Sequence, residues 1–125
     1  MSDIKWLSTP EGHDYPAARK YLSLLLSPKD VDDIIVRLLR AETTFFKAKD
    51  LLRAAGLKAL GEDNHHVERD LKKIKHDEPM SPILLVRGNL NLGTLLTIAD
   101  GYHRLCAAYI HDEDVEVACH MVGIG

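Results

Sequence analysis

Ile98-Ala99-Asp100-Gly101-Tyr102-His103-Arg104-Leu105-Cys106-Ala107-Ala108 is the stretch that decides the fold. Its opening reads as the end of a β-strand, Asp100-Gly101 as a turn, and the remainder as a helix with His103 and Arg104 in its first turn. The first backbone N–H groups of such a helix have no acceptor within it, and the helix dipole adds partial positive charge. Glycine permits close approach to the backbone. Arg104 adds a planar fork suited to phosphate oxygens. Together these features describe an anion site at Gly101, Tyr102, His103 and Arg104. A plainer account uses the same residues: a tight turn with Arg104 paired to a carboxylate. Spacing alone does not separate the two. The segment lacks a Walker-type lysine, so it is not a P-loop.

Working outward, Pro82 to Val86 reads as a buried strand, Gly88 to Gly93 as a glycine-flanked turn, and Leu95 to Ala99 as a buried return strand. A helix from Tyr102 to His111 follows. Val115, Val117, Cys119 and Met121 then alternate with Glu116, Ala118 and His120, which predicts a half-buried strand. Upstream, Asn64 is a natural N-cap for a helix carrying Val67, Leu71 and Ile74 on one face. Lys49 to Ala55 reads as a short helix closed by Gly56, with a loop from Leu57 to Asp63. Thr43 to Phe46 is β-branched and aromatic, a short strand.

Residues 1–13 form an arm that Trp6 and Leu7 are placed to pin. Asp14-Tyr15-Pro16 predicts a helix with Asp14 as N-cap, running through Leu26. Ser27-Pro28-Lys29-Asp30 repeats that start signal. Behind it Val31, Ile34, Ile35, Leu38 and Leu39 form a one-sided stripe. The order predicts an α+β fold in one domain spanning residues 1–125. Residues 1–40 form a helical extension, and residues 43–122 a mixed core.

The chain has 125 residues, and its 16 basic against 19 acidic side chains give a net charge of −3. That balance argues against strong DNA binding, which needs a basic field to displace counterions. The basic strip Lys72-Lys73-Ile74-Lys75 reads as a solvated helix face. No apolar run approaches the about 20 residues of a membrane span, and the start Met1-Ser2-Asp3-Ile4-Lys5 does not read as a leader. Cys106 and Cys119 sit inside apolar segments, not in a spaced framework, so a reducing, cytoplasmic setting is expected.

The segment from Thr43 to Val122 resembles the ParB/sulfiredoxin superfamily. Pro82-Ile83 fits that family's strand start, and Gly101, Arg104 and Ala107 fit its G-x-x-R-x-x-A box. Asp63 to Val67 sits where the family's ligand-facing turn would lie. The resemblance implies a small mixed sheet with packed helices and a box that binds nucleotide phosphates. Sulfiredoxins carry a reactive cysteine in the box where this chain has Tyr102, and Cys106 falls in the helix body. The sulfinic-acid reductase reaction is therefore not expected. Partition-type ParB proteins carry a G-E-R-R box, an E-N-x-x-R motif and a helix-turn-helix domain, none of which is seen here. The resemblance points instead to the stand-alone ParB-like class, in which nuclease, nucleotide-hydrolysing and small-molecule kinase activities occur.

Seven histidines invite a metal reading. His65 and His66 are adjacent, so on a helix they diverge by about 100°, and no H-x-x-x-H pair occurs. No protein-held metal is expected. A magnesium ion carried by nucleotide phosphate, with Asp100 or Glu68, fits better. His13-Asp14 is either an acid–base dyad or an arm residue beside an N-cap, and the cap is simpler. His76, His111 and His120 read as surface residues and Cys119 as core. Two function classes follow. In the first, Gly101 to Arg104 hold the phosphate of a nucleotide or phosphorylated small molecule. His103, His66, Asp100 or Glu68 then position water or a substrate hydroxyl. The second is a non-catalytic binding or assembly module that uses residues 15–40 against a partner or a second copy.

Overall fold

The capping and stripe signals translate directly into helices in the computed structural model, which describes residues 3–124; Met1, Ser2 and Gly125, and so the ends of the 1–125 unit, lie outside it. Ser27 Oγ accepts from the Asp30 N–H at 3.3 Å and starts α2, Pro28–Arg40. Pro28 keeps Ser27 extended, so α1, Asp14–Leu22, stops short of the expected Leu26 and the chain turns before α2. His13, not Asp14, is the N-cap of α1. Gly56, at φ 67°, closes α3, Ala48–Ala55. Asn64 Oδ1 accepts from His66 and Val67 N–H and opens α4, His65–Lys75. The last helix is α5, Tyr102–His111.

Among the described residues four strands form one mixed sheet in the order β1-β4-β2-β3, with β1 at Thr44–Lys47, β2 at Ile83–Val86, β3 at Thr97–Asp100 and β4 at Glu116–Val122. β2 runs parallel to β4, and the outer pairs are antiparallel. The fold is thus α+β, with helices on both faces. Ile83 and Leu85 point into a core with Val67, Leu105, Val117 and residues of α3. Leu84 and Val86 point the other way, into a second core with Val31, Ile34, Ile35 and Leu38. Burial on both faces accounts for the unbroken apolar run of β2.

Several expectations change once the layers are in place. Residues 14–40 do not trail from the core, because α1 and α2 form the layer that covers one sheet face. The stripe of α2 is spent inside its own chain, apart from Leu39, which is 57% exposed. Leu39 lies about 80° round the helix from Val31, beyond the edge of the stripe. β4 is buried on both faces, not half-buried, since α2 packs over it. His120 is consequently buried, contrary to a surface reading. Its Nε2 meets Thr43 Oγ1 at 2.8 Å, and burial holds its pKa below the ordinary histidine value.

β3 is an edge strand that begins only at Thr97, so Leu95 lies in the loop before it and is exposed where a buried run was expected. The arm is fixed as expected near Trp6 and Leu7: the Leu7 N–H donates to the Met80 carbonyl at 2.8 Å. Cys106 and Cys119 are buried free thiols, and burial pushes the Cys119 pKa up to about 12. No helix among the described residues is long and apolar enough to cross a membrane.

Candidate functional site

β3 ends at Asp100, and Gly101 turns the chain straight into α5. Gly101 has φ +112°, and a Cβ there would collide with Ile83 Cγ2 and lie 2.9 Å from the Arg104 guanidinium. Packing against β2 and a left-handed backbone therefore require glycine here, rather than room for a ligand. No side chain caps α5.

Arg104 makes its polar contacts through one guanidinium nitrogen, and its Nε is buried without a partner among the described residues. Its Nη2 lies 3.2 Å from Asp100 Oδ2 and 3.5 Å from both Asp14 Oδ2 and the Pro82 carbonyl. The side chain is 17% exposed. Asp14, buried in the first turn of α1, also accepts a hydrogen bond from Ser81 Oγ, which in turn accepts from the Glu11 N–H at 3.0 Å. His13 Nε2 sits 3.4 Å from Asp14 Oδ1. The two carboxylates offset the guanidinium charge at Nη2. This is the plainer arrangement of the two that spacing left open. Burial raises the Asp100 pKa, Arg104 opposes that rise, and Asp14 adds to it.

The turn opens on a cavity of about 170 Å³ whose walls include His13, Arg69, Asp70, Lys73, Gly101 and His103. Arg69, Asp70 and Lys73 come from α4, which packs against α5. The His103 ring lies 4.8 Å from the His66 ring, and His66 lies 4.0 Å from His65. Side-chain rotation thus closes the divergence expected of adjacent helical histidines. Burial, followed by the neighbouring His66, holds the His103 pKa below the usual histidine value. Tyr102 donates its hydroxyl to the Lys58 carbonyl and fastens the 57–63 loop to α5.

Of the sequence candidates, Asp100, Gly101, Tyr102, His103, Arg104 and His66 come together, the last through its ring contact with His103. Glu68 does not join them: it is exposed, 4.0 Å from Lys72. Lys72 and Lys75 are solvated as expected of the basic strip, but Lys73 turns into the cavity. Asp14, Ser81, Arg69 and Asp70 were missed. Asp70 carried a legible signal, for it falls between Val67 and Ile74 in the buried stripe of α4, where a solvated acid does not belong.

Asp100 Oδ2 is held by Arg104, and Glu68 stands apart at Lys72. Among the described residues no group of three His, Cys, Asp or Glu side chains is placed to hold a metal. A scan against protein-family models finds no match for this chain, and searches of curated proteins and of solved structures find none either.

Proposed function

We propose that the cavity at the start of α5 binds the phosphoryl group of a nucleotide or a phosphorylated small molecule. One observation carries the reading: a helix N-terminus without a side-chain cap opens on a polar cavity that Arg69 and Lys73 share. The opening N–H groups of α5 and these two cations supply the donors. Arg104 is a positioning residue, which holds Asp14, Asp100 and the Pro82 carbonyl so that the turn keeps its shape. A cavity of about 170 Å³ is below the range of about 300–1,000 Å³ for whole small-molecule sites. It takes the phosphoryl end and leaves the rest of the ligand outside.

The chemistry follows from the histidines. His103, kept neutral at physiological pH, stands against His66 and is suited to take a proton from water or a substrate hydroxyl. That favours phosphoester hydrolysis or phosphoryl transfer, in keeping with the ParB-like resemblance of Gly101, Arg104 and Ala107. Calorimetry with inorganic phosphate, ADP and ATP tests the binding. A ligand at 100 times its Kd also stabilises the fold by about 2.7 kcal/mol. Lys73→Ala and Arg69→Ala should each weaken binding without unfolding the protein, and His103→Ala should lower turnover more than affinity. Absence of binding by all three ligands would overturn the proposal.

A further inference from the structure

At the opposite end of the sheet, the loop between β2 and β3 carries an apolar surface that the phosphoryl reading does not use. Leu90, in a short 3₁₀ turn from Leu90 to Leu92, is 96% exposed, and Leu92 is 75% exposed. This loop is tied down: Thr94 Oγ1 accepts from the Asn89 N–H at 2.8 Å, and Asn89 Oδ1 accepts from the Asn91 N–H at 2.9 Å. The leucines are therefore presented by an ordered turn. Beside Leu90 a groove of about 510 Å³ runs between the loop and α3, lined by Leu51, Leu96 and Met121. On the other side of the same loop a smaller cavity is walled by Leu25 and Ile124, and it shares Arg87, Thr94 and Leu95 with the groove. The apolar surface is thus continuous around the loop, the pattern of an interaction site.

Charge identifies the occupant. Arg87 stands at the centre of this surface, exposed, and no carboxylate pairs with it among the described residues. Arg53, at the groove wall, shares Asp50 at 3.2 Å. The groove is therefore locally cationic on a chain whose net charge is −3. We infer that it docks a segment of another protein, an acidic amphipathic helix whose apolar side chains fill the groove while a carboxylate meets Arg87. A second copy on a two-fold axis would bring the same patch, and Arg87, against itself. A bilayer cannot fill a concave groove, and one free arginine is far from the about 4–8 basic residues that hold anionic lipid. A small amphiphile in the groove would leave Leu92 and the Leu25 side wet.

The test pans the protein against a displayed library of random 16-residue peptides, then measures the enriched sequence as a labelled synthetic peptide by fluorescence anisotropy. Enrichment of apolar residues at helical spacing with Asp or Glu is expected. Arg87→Glu should weaken that peptide about tenfold or more and favour its Lys-for-Glu counterpart. Leu90→Ser with Leu92→Ser should weaken both peptides, and circular dichroism should remain native. Failure to enrich such sequences, or binding that ignores these variants, would overturn the inference. So would a dimer in sedimentation that Leu90→Ser dissolves, flotation with phosphatidylserine vesicles, or dodecanoate seated at the groove leucines by chemical-shift mapping.

Discussion

The two ends of the β2–β3 pair follow opposite rules. At the Gly101 end, polar groups are drawn into one network: Arg104 Nη2 links Asp14, Asp100 and the Pro82 carbonyl, and Ser81 links Asp14 to the arm, while Arg104 Nε is left without a partner among the described residues. At the Leu90 end, apolar groups are exposed and nothing within the described chain covers them. Burying charge is tolerable only when it is paired, and the carboxylates of Asp14 and Asp100 supply that pairing for Arg104 at the first end. Exposed leucines on an ordered turn add almost nothing to the stability of the isolated fold, so the second end is shaped for something outside it. One end presents paired polar groups around a small cavity, the other uncovered leucines.

Removing Arg104 is the strongest way to break that contrast. Arg104→Ala leaves the Asp14 and Asp100 carboxylates buried without their cation, and should cost about 3–5 kcal/mol in chemical denaturation. If the variant keeps wild-type stability and loses only phosphate affinity, Arg104 is a ligand group and the Gly101 end is not self-contained.

Gly101→Ala should come next. The left-handed φ of +112° and the collision with Ile83 together predict a loss of about 2–4 kcal/mol. A neutral outcome would mean that the turn can move, which would return the glycine to a ligand-approach role.

These two residues also mark what was legible in the sequence. Caps and stripes depend on neighbours three or four positions away, so Ser27, Asn64, Gly56 and the buried face of α2 could be read directly. The strand–glycine–helix order around Gly101 was legible for the same reason. The charge state of the site was not. Asp14 reaches Arg104 across 90 positions and Ser81 across 67, and no local pattern distinguishes a buried aspartate from an N-cap. Strand placement was equally hidden: whether β3 is an edge, or β4 is covered on both faces, depends on sheet order. His120 was misjudged on that account, and Leu95 because β3 starts two residues later than its apolar run.

A pH titration probes the buried polar groups by a smaller effect. Burial raises the Asp100 pKa above its unfolded value of 3.8, so the folded state binds that proton more tightly. Asp100 therefore makes stability fall as pH rises from 3.8 through the folded pKa. His103 and His120 have the reverse sign. Their folded pKa values lie below 6.5, so the unfolded state binds more protons and stability is lost as pH falls from 6.5 through the folded values. Denaturation midpoints followed from pH 7 to 4 should show the histidine loss in wild type. His103→Gln should flatten it in part, and Asp100→Asn should alter only the acid limb. A profile unchanged by either variant would show that neither group titrates differently on folding.

The smallest effect tests the exposed end. Leu90→Ser removes an apolar side chain that is almost wholly in water, so the folded and unfolded states lose nearly the same environment. The change in stability should stay within about 0.5 kcal/mol, as for surface substitutions away from caps and networks. The Asn89 and Thr94 bonds that shape the turn use no atom of Leu90's side chain, so the loop should keep its form. A loss above about 1 kcal/mol would mean that Leu90 folds back onto the groove and covers Leu51 and Met121 itself. The apolar end would then be as self-contained as the polar one. A neutral result leaves a leucine that the fold does not need, held in place by a turn that it does not stabilise.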